Sequence, residues 1–235
     1  MSRYRWILVD LDGTLLDFHR AESGALRQTA DEFEISLSKE AVASYAAINA
    51  ALWKDFEQGT ITALGIRNVR FARWLDALGI EREATALSKR FLQLLVEHST
   101  FLEGAEDLLN SLRESVHMAL ITNGFADVQR GRVSRFALDR WFDPILISEE
   151  LGLSKPNPGI FEVALQRMGN PAKQDVLILG DSLSSDIRGG AEFGIDTCWF
   201  NPEQSANNSD VVPTYEIRRL CEVSSIIETG AHEHA

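Results

Sequence analysis

Aspartates occupy the places where this sequence could do chemistry. Asp10-Leu11-Asp12-Gly13-Thr14 follows the apolar run Trp6–Val9, Thr122-Asn123-Gly124 follows residues 118–121, and Gly180-Asp181-Ser182 follows 176–179, with Asp186 close behind. Each run is short and apolar, the pattern of a strand buried on both faces of a parallel sheet. The three polar clusters therefore stand at carboxyl ends of strands, the edge where open α/β sheets bind ligands. A lone Asp-x-Asp is more often a polar turn; the shared position of the three clusters is what carries weight. If their strands are neighbours, Asp10, Asp12, Asp181 and Asp186 converge. Two unit charges about 4 Å apart repel by roughly 4 kcal/mol at an effective dielectric of about 20. Such a group calls for protonation or for a cation, and an all-oxygen donor set with room for water suits Mg²⁺, with Mn²⁺ as a substitute.

Those parts specify a reaction. A carboxylate is an adequate nucleophile toward phosphorus once a metal neutralises the anionic substrate, giving an aspartyl-phosphate that water then hydrolyses. Asp10 is assigned the attack. Asp12 is placed to protonate the departing alkoxide and then to deprotonate water, work worth about 10²–10⁴-fold. Gly13 lets the chain turn sharply, so that the Asp12 carbonyl can face the ion. Thr122 and Asn123, with nearby backbone N–H groups such as that of Leu11, can donate to phosphate oxygens, while Lys155 sets a positive charge against the phosphoryl group and the nucleophile. Ser182, Ser184 and Ser185 read as caps for a helix that begins near Asp186.

The elements that must position these residues form an alternating series. Further strands are expected at Ile145–Ile147 and 197–200. Helical spacing is expected at Ala105–Leu112, 128–138, 160–168 and 187–193, with Ser154-Lys155-Pro156-Asn157-Pro158 as a helix entry. Strand alternating with helix implies an α/β fold, a doubly wound parallel sheet. Residues 18–99 break the rhythm: they hold no convincing strand but several amphipathic stretches, such as 42–56 and 69–78, punctuated by Gly59 and Gly79. They are expected to fold as a helical insertion acting as a lid, dividing the chain into a core of 1–17 and 100–235 and an insert of 18–99. Residues 201–213 read as an exposed loop and 230–235 as a frayed tail.

Composition narrows the partners. With 23 Lys and Arg against 35 Asp and Glu the formal charge is −12, which repels polymeric nucleic acid and anionic membranes but leaves room for a small anion bound by local positive charge. Cys198 and Cys221 are too few for a disulfide framework and both read as buried free thiols. No stretch is long and apolar enough for a signal peptide or a span, so a cytoplasmic protein is expected. His19, His98 and His117 lack metal-ligand spacing, and His232 and His234 sit in the tail. Trp53 and Phe56 are expected in the core of the insert, with base stacking as the alternative; Trp6, Trp74, Trp141 and Trp199 suit packing.

Taken together, the clusters resemble the four motifs of the haloacid dehalogenase-like (HAD) superfamily in order: Asp10 to Thr14, then Thr122, then Lys155-Pro156, then Gly180-Asp181 with Asp186. The resemblance implies a Rossmann-like core with a helical C1 cap inserted after the first motif. It also implies Mg²⁺ held by the Asp10 carboxylate, the Asp12 backbone carbonyl and Asp181, with Asp186 behind them. A narrower similarity, to the bacterial pyrimidine 5′-nucleotidases, rests on residues 52–62, Thr122-Asn123-Gly124-Phe125, Ile147-Ser148-Glu149-Glu150 and Thr197-Cys198-Trp199-Phe200-Asn201. It implies nucleoside 5′-monophosphates as substrates; a monomer or small homo-oligomer is expected. Alternatives are a sugar-phosphate or phosphoglycolate phosphatase, a phosphomutase, a 2-haloacid dehalogenase, which in this superfamily does without a second acid at the Asp12 position, and a phospho-accepting regulatory module.

Overall fold

The computed structural model describes residues 3–229. The chain divides into two compact units, one formed by the chain up to Asp17 and from Thr100 onward, the other by Phe18–Ser99.

The first unit is built on a six-stranded sheet of β1 (Trp6–Val9), β2 (His117–Thr122), β3 (Ile145–Ile147), β4 (Val176–Gly180), β5 (Asp196–Phe200) and β6 (Tyr215–Ile217). Every pairing is parallel and the order is β3-β2-β1-β4-β5-β6. β1 thus lies between β2 and β4, with Trp6 in register with both His117 and Val176. Side chains alternate across the strands: Ile7, Val9, Leu120, Leu177 and Leu179 enter one buried cluster, while Leu8, Ala119, Ile121 and Ile178 enter another. Because both faces are covered, alternation is invisible in the sequence and the strands read as unbroken apolar runs. β6 is an addition to the five expected strands; three residues long, with exposed Glu216 between buried Tyr215 and Ile217, it is too short to declare a period.

The helices, in chain order, are α1 (Phe18–Glu32), α2 (Lys39–Glu57), α3 (Ala63–Leu78), α4 (Ala84–His98), α5 (Ala105–Leu112), α6 (Ala126–Phe136), α7 (Ser148–Leu151), α8 (Pro158–Arg167), α9 (Arg188–Phe193) and α10 (Glu222–Thr229). α8 starts as its sequence dictates: the Asn157 side chain accepts from the Gly159 N–H and Pro158 opens the first turn. The helix expected at 187–193 is preceded by a wider π-helical turn at Leu183–Ile187. Cys198 is buried on β5, but Cys221 is exposed, contrary to expectation. It stands next to Leu220, which turns inward in its place. The expected tail at 230–235, with His232 and His234, lies outside the described residues. No helix among the described residues is long and apolar enough to cross a membrane.

The second unit consists of α1 to α4. Ser38 and Thr62 cap α2 and α3 by accepting from the N–H groups of Ala41 and Gly65, at 3.2 and 3.1 Å. Gly79 ends α3 with φ 66°, a left-handed cap that glycine adopts without strain. Its interior is aromatic, with Tyr45 and Phe71 in ring contact with each other and each with Trp74 and Phe91. Arg70 is buried among them, its guanidinium over the Phe91 ring at 4.7 Å. Its charge is tied through Asn49 to Glu22 by bonds of 3.1 and 2.7 Å. Trp53 and Phe56, one turn apart on α2, meet edge to face at 5.4 Å and are only partly buried.

Leu8 is fully buried on a strand bonded on both sides. Leu8→Ala is expected to cost about 2–5 kcal/mol, as a lost side chain plus the cavity it leaves, read from the shift of a urea unfolding curve at constant slope.

Candidate active site

The sheet order brings the polar strand ends together. Asp10 leaves β1 with its N–H donating to Leu179 O of β4 at 2.9 Å, so the loop after β4 lies alongside. One carboxylate oxygen from each of Asp10, Asp181 and Asp186 lies within 4.8 Å of the others. Two glycines permit this closeness. Gly13 has φ +87°, and a Cβ there would overlap the Asp181 carboxylate; a Cβ on Gly180 would overlap that of Asp186. Thr14 Oγ1 donates to Asp181 Oδ1 at 3.3 Å, and Trp199 Nε1 donates to the Asp181 carbonyl at 2.9 Å. Trp199 therefore anchors the site as well as packing.

Lys155 occupies the centre. Its Nζ donates to Asp10 Oδ1 at 2.5 Å, to Asp186 Oδ1 at 2.6 Å and to the Ile121 carbonyl at 3.0 Å, which engages all three ammonium protons. It is 1% exposed. Any action on a bound anion is therefore through its charge rather than a spare donor. Asn123 fixes it from behind: the amide Oδ1 accepts from Lys155 N at 2.9 Å and Nδ2 donates to Lys155 O at 2.8 Å. Since that side chain is engaged with the Lys155 backbone, a contact from Asn123 to phosphate falls to its backbone N–H. Leu11 likewise has a fully buried side chain and can offer only backbone. Asp186 also accepts from Ser182 N at 3.1 Å, and Ser182 Oγ accepts from Ser185 N at 3.2 Å, so both Asp186 oxygens are engaged.

The electrostatics reveal a shortage of positive charge. Burial pushes Asp10 well above the usual carboxylate range; Lys155 opposes the shift, and Asp186 and Asp181 add to it. Asp181 is pushed up to about 7, chiefly by desolvation and then by Asp186, against the pull of Lys155. Burial works against the Lys155 charge, but the Asp10 and Asp186 carboxylates outweigh it and its pKa rises. Three carboxylates and one ammonium leave a surplus of negative charge in a desolvated place, with oxygen donors only. These residues fit a hard divalent cation such as Mg²⁺.

Asp12 does not join the other aspartates through its side chain. Its carboxylate turns toward α6, where Arg132 Nη1 donates to Oδ1 at 2.7 Å and to Oδ2 at 2.9 Å, and Gln129 Nε2 donates to Oδ2 at 2.8 Å. Gln129 Nε2 also donates to Thr122 Oγ1 at 2.9 Å, and Arg132 Nη1 to Gln129 Oε1 at 3.2 Å. The convergence of four carboxylates expected from the sequence is thus a convergence of three, with Asp12 able to contribute its carbonyl. Gln129 and Arg132 were not among the expected site residues, because polar residues on a helix ordinarily face water. The available signal was their spacing of three, on the helix that starts directly after the Thr122 cluster, which puts both on one face. His98 bonds Gln28 at 2.8 Å and His117 packs on Trp6.

A family model described as haloacid dehalogenase-like hydrolase matches residues 4–194. The HAD-hydrolase YfnB of Bacillus subtilis is 37% identical over 97% of each chain. Its crystal structure, described as bound to magnesium, superposes with a TM-score of 0.89 over 96% of this chain and 99% of that one. The pyrimidine 5′-nucleotidase YjjG of Escherichia coli is 36% identical over 96% of this chain and 98% of its own, and pyrimidine 5′-nucleotidase PynA of Streptococcus pneumoniae is 38% identical over 91% of each.

Removing the central cation should expose how much it supports. Lys155→Met leaves Asp10 and Asp186 buried without their shared partner and is expected to destabilise the protein by about 3–5 kcal/mol, measured by urea unfolding in chelator at neutral pH.

Proposed function

The chain belongs to the haloacid dehalogenase-like hydrolase family, and from that premise we propose that it is a Mg²⁺-dependent phosphomonoesterase acting on nucleoside 5′-monophosphates through a phosphorylated Asp10. The observation that carries the proposal is the pairing of two aspartates from one loop with two different cations, Asp10 with Lys155 and Asp12 with Arg132. One carboxylate is thereby oriented for attack and the other kept apart from it for proton transfer.

In the first step an Asp10 oxygen bonds to phosphorus while the bond from phosphorus to the ester oxygen breaks, and Asp12, with one oxygen released from its donors on α6, passes a proton to the leaving oxygen. In the second step water attacks the same phosphorus, Asp12 takes the water proton, and the Asp10 carboxylate departs as inorganic phosphate is released. A bound Mg²⁺, held by Asp10, Asp181 and the Asp12 carbonyl, would neutralise the phosphoryl oxygens and let one anion approach another. Lys155 orients Asp10 and favours its ionised form against the burial that opposes it. Thr122 Oγ1 accepts from Gln129, so its own proton is left to donate to a phosphoryl oxygen, together with the backbone N–H groups of Leu11 and Asn123. Asp186 holds Lys155 in place. Choice of the organic part of the substrate is assigned to the helical insert, residues 18–99. Support for a nucleoside there comes from the two relatives named pyrimidine 5′-nucleotidases, which align over nearly the whole chain, insert included. Retention of Asp12, with donors of its own, favours phosphate esters over halides, whose departure needs no proton.

A phosphate-release screen with Mg²⁺ across nucleoside monophosphates, sugar phosphates and phosphoglycolate should give the highest kcat/KM on a nucleoside 5′-monophosphate; preference for a sugar phosphate would overturn the substrate assignment. Asp10→Asn is expected to abolish turnover while the circular dichroism spectrum is unchanged. EDTA should silence the wild type and added Mg²⁺ restore it, and activity that persists in chelator would remove the metal from the proposal.

A further inference from the structure

An acid–base carboxylate must be near the leaving oxygen and correctly aimed, and an aspartate at a loop has two free side-chain torsions with which to miss. Asp12 is not left to find its direction. Both of its oxygens receive donors from α6, three hydrogen bonds in all, two of them from a guanidinium that is itself 1% exposed. Charge-assisted bonds of this kind are roughly twice as strong as neutral ones. Taking a guanidinium out of water costs several kcal/mol unless a carboxylate meets it, so the pair is a built feature of the interior rather than a chance surface contact.

The same amide nitrogen of Gln129 bonds Asp12 Oδ2 and Thr122 Oγ1. One donor thereby sets the spacing between the proposed proton carrier and the hydroxyl proposed to meet the phosphoryl group. Room for that amide depends on Gly124, where a Cβ would overlap the Gln129 side chain. Gln129 and Arg132 are bonded to one another at 3.2 Å and share a single helix, so they hold Asp12 as one rigid piece. We propose that Gln129 and Arg132 are positioning residues for Asp12, aiming its carboxyl group at the leaving oxygen of the ester. The proposal rests on the acid–base role given to Asp12 above.

The effect should depend on the leaving group. As the bond from phosphorus to the ester oxygen breaks, an alkoxide requires the Asp12 proton, whereas nitrophenolate leaves without it. The quantity to compare is kcat/KM, which covers steps only up to departure of the alcohol. Thymidine 5′-monophosphate and β-glycerophosphate serve as alkyl esters and p-nitrophenyl phosphate as the aryl ester. Arg132→Met is expected to lose about 10–100-fold on the alkyl esters, the scale of a misaligned catalytic group, and less than about 3-fold on the aryl ester; Gln129→Met, which also frees the Thr122 hydroxyl, should lose on both ester types but more on the alkyl esters. Arg132→Lys, which restores a cationic donor, should recover most of the loss. Equal losses on both ester types, no loss on either, or no recovery with lysine would overturn the proposal. Should Arg132→Met fail to fold by circular dichroism, Gln129→Met and Arg132→Lys decide the matter alone. Asp12→Asn separates the two levels. If it shows no preference between leaving groups, or if the wild type hydrolyses none of the three esters, the acid–base reading fails and the positioning role falls with it. If Asp12→Asn discriminates and the Gln129 and Arg132 variants do not, only the positioning role is lost.

Discussion

A buried ammonium shared by two carboxylates is the constraint around which the site is arranged. Lys155 touches Asp10, Asp186 and the Ile121 carbonyl at once, and these come from the ends of β1 and β2 and from the turn after β4. An unpaired lysine in that position would be strongly disfavoured, so the three segments must be mutually adjacent for the interior to be tolerable. The sheet order provides that adjacency. The amide of Asn123 locks the Lys155 backbone from the neighbouring strand end, and glycines at 13 and 180 remove the atoms that would keep the carboxylates apart.

A second consequence concerns two aspartates separated by a single residue. In a continuing strand, residues two apart would point the same way. Asp10 and Asp12 instead meet different cations because the chain leaves β1 at Val9 and turns through Gly13. One carboxylate stays with Lys155 inside the cluster where negative charge is in surplus; the other crosses to Arg132 on α6. Segregation by separate positive partners gives two chemically identical side chains unlike surroundings, the usual way a protein assigns them different tasks.

Much of the sheet and of its active edge was legible in the sequence, since strands buried on both faces announce themselves as apolar runs and the polar residues that follow mark the carboxyl edge. β6 was hidden by its brevity, and the wide turn at Leu183–Ile187 by the fact that its sequence reads equally well as an ordinary helix start. The direction taken by Asp12 could not be read, because it depends on tertiary partners more than a hundred residues along the chain. For the same reason Gln129 and Arg132 were not singled out from the sequence: their polarity is local information, whereas their burial is not. Cys221 shows the opposite error, an apolar neighbourhood in sequence that resolves into one inward leucine and one outward thiol.

The position of β1 in the middle of the sheet also governs how the protein can be made. As a nascent chain leaves the ribosome, its first strand finds no hydrogen-bonding neighbour until the segment at His117 has emerged, and no second one until Val176 follows. The helices encoded in between close their backbone hydrogen bonds within a few residues, whereas the sheet must wait for distant pieces. Until Lys155 and the β4 turn are synthesised, Asp10 remains hydrated and harmless, so the crowding of acidic groups is deferred to a late stage of assembly, when its counter-charge is already at hand.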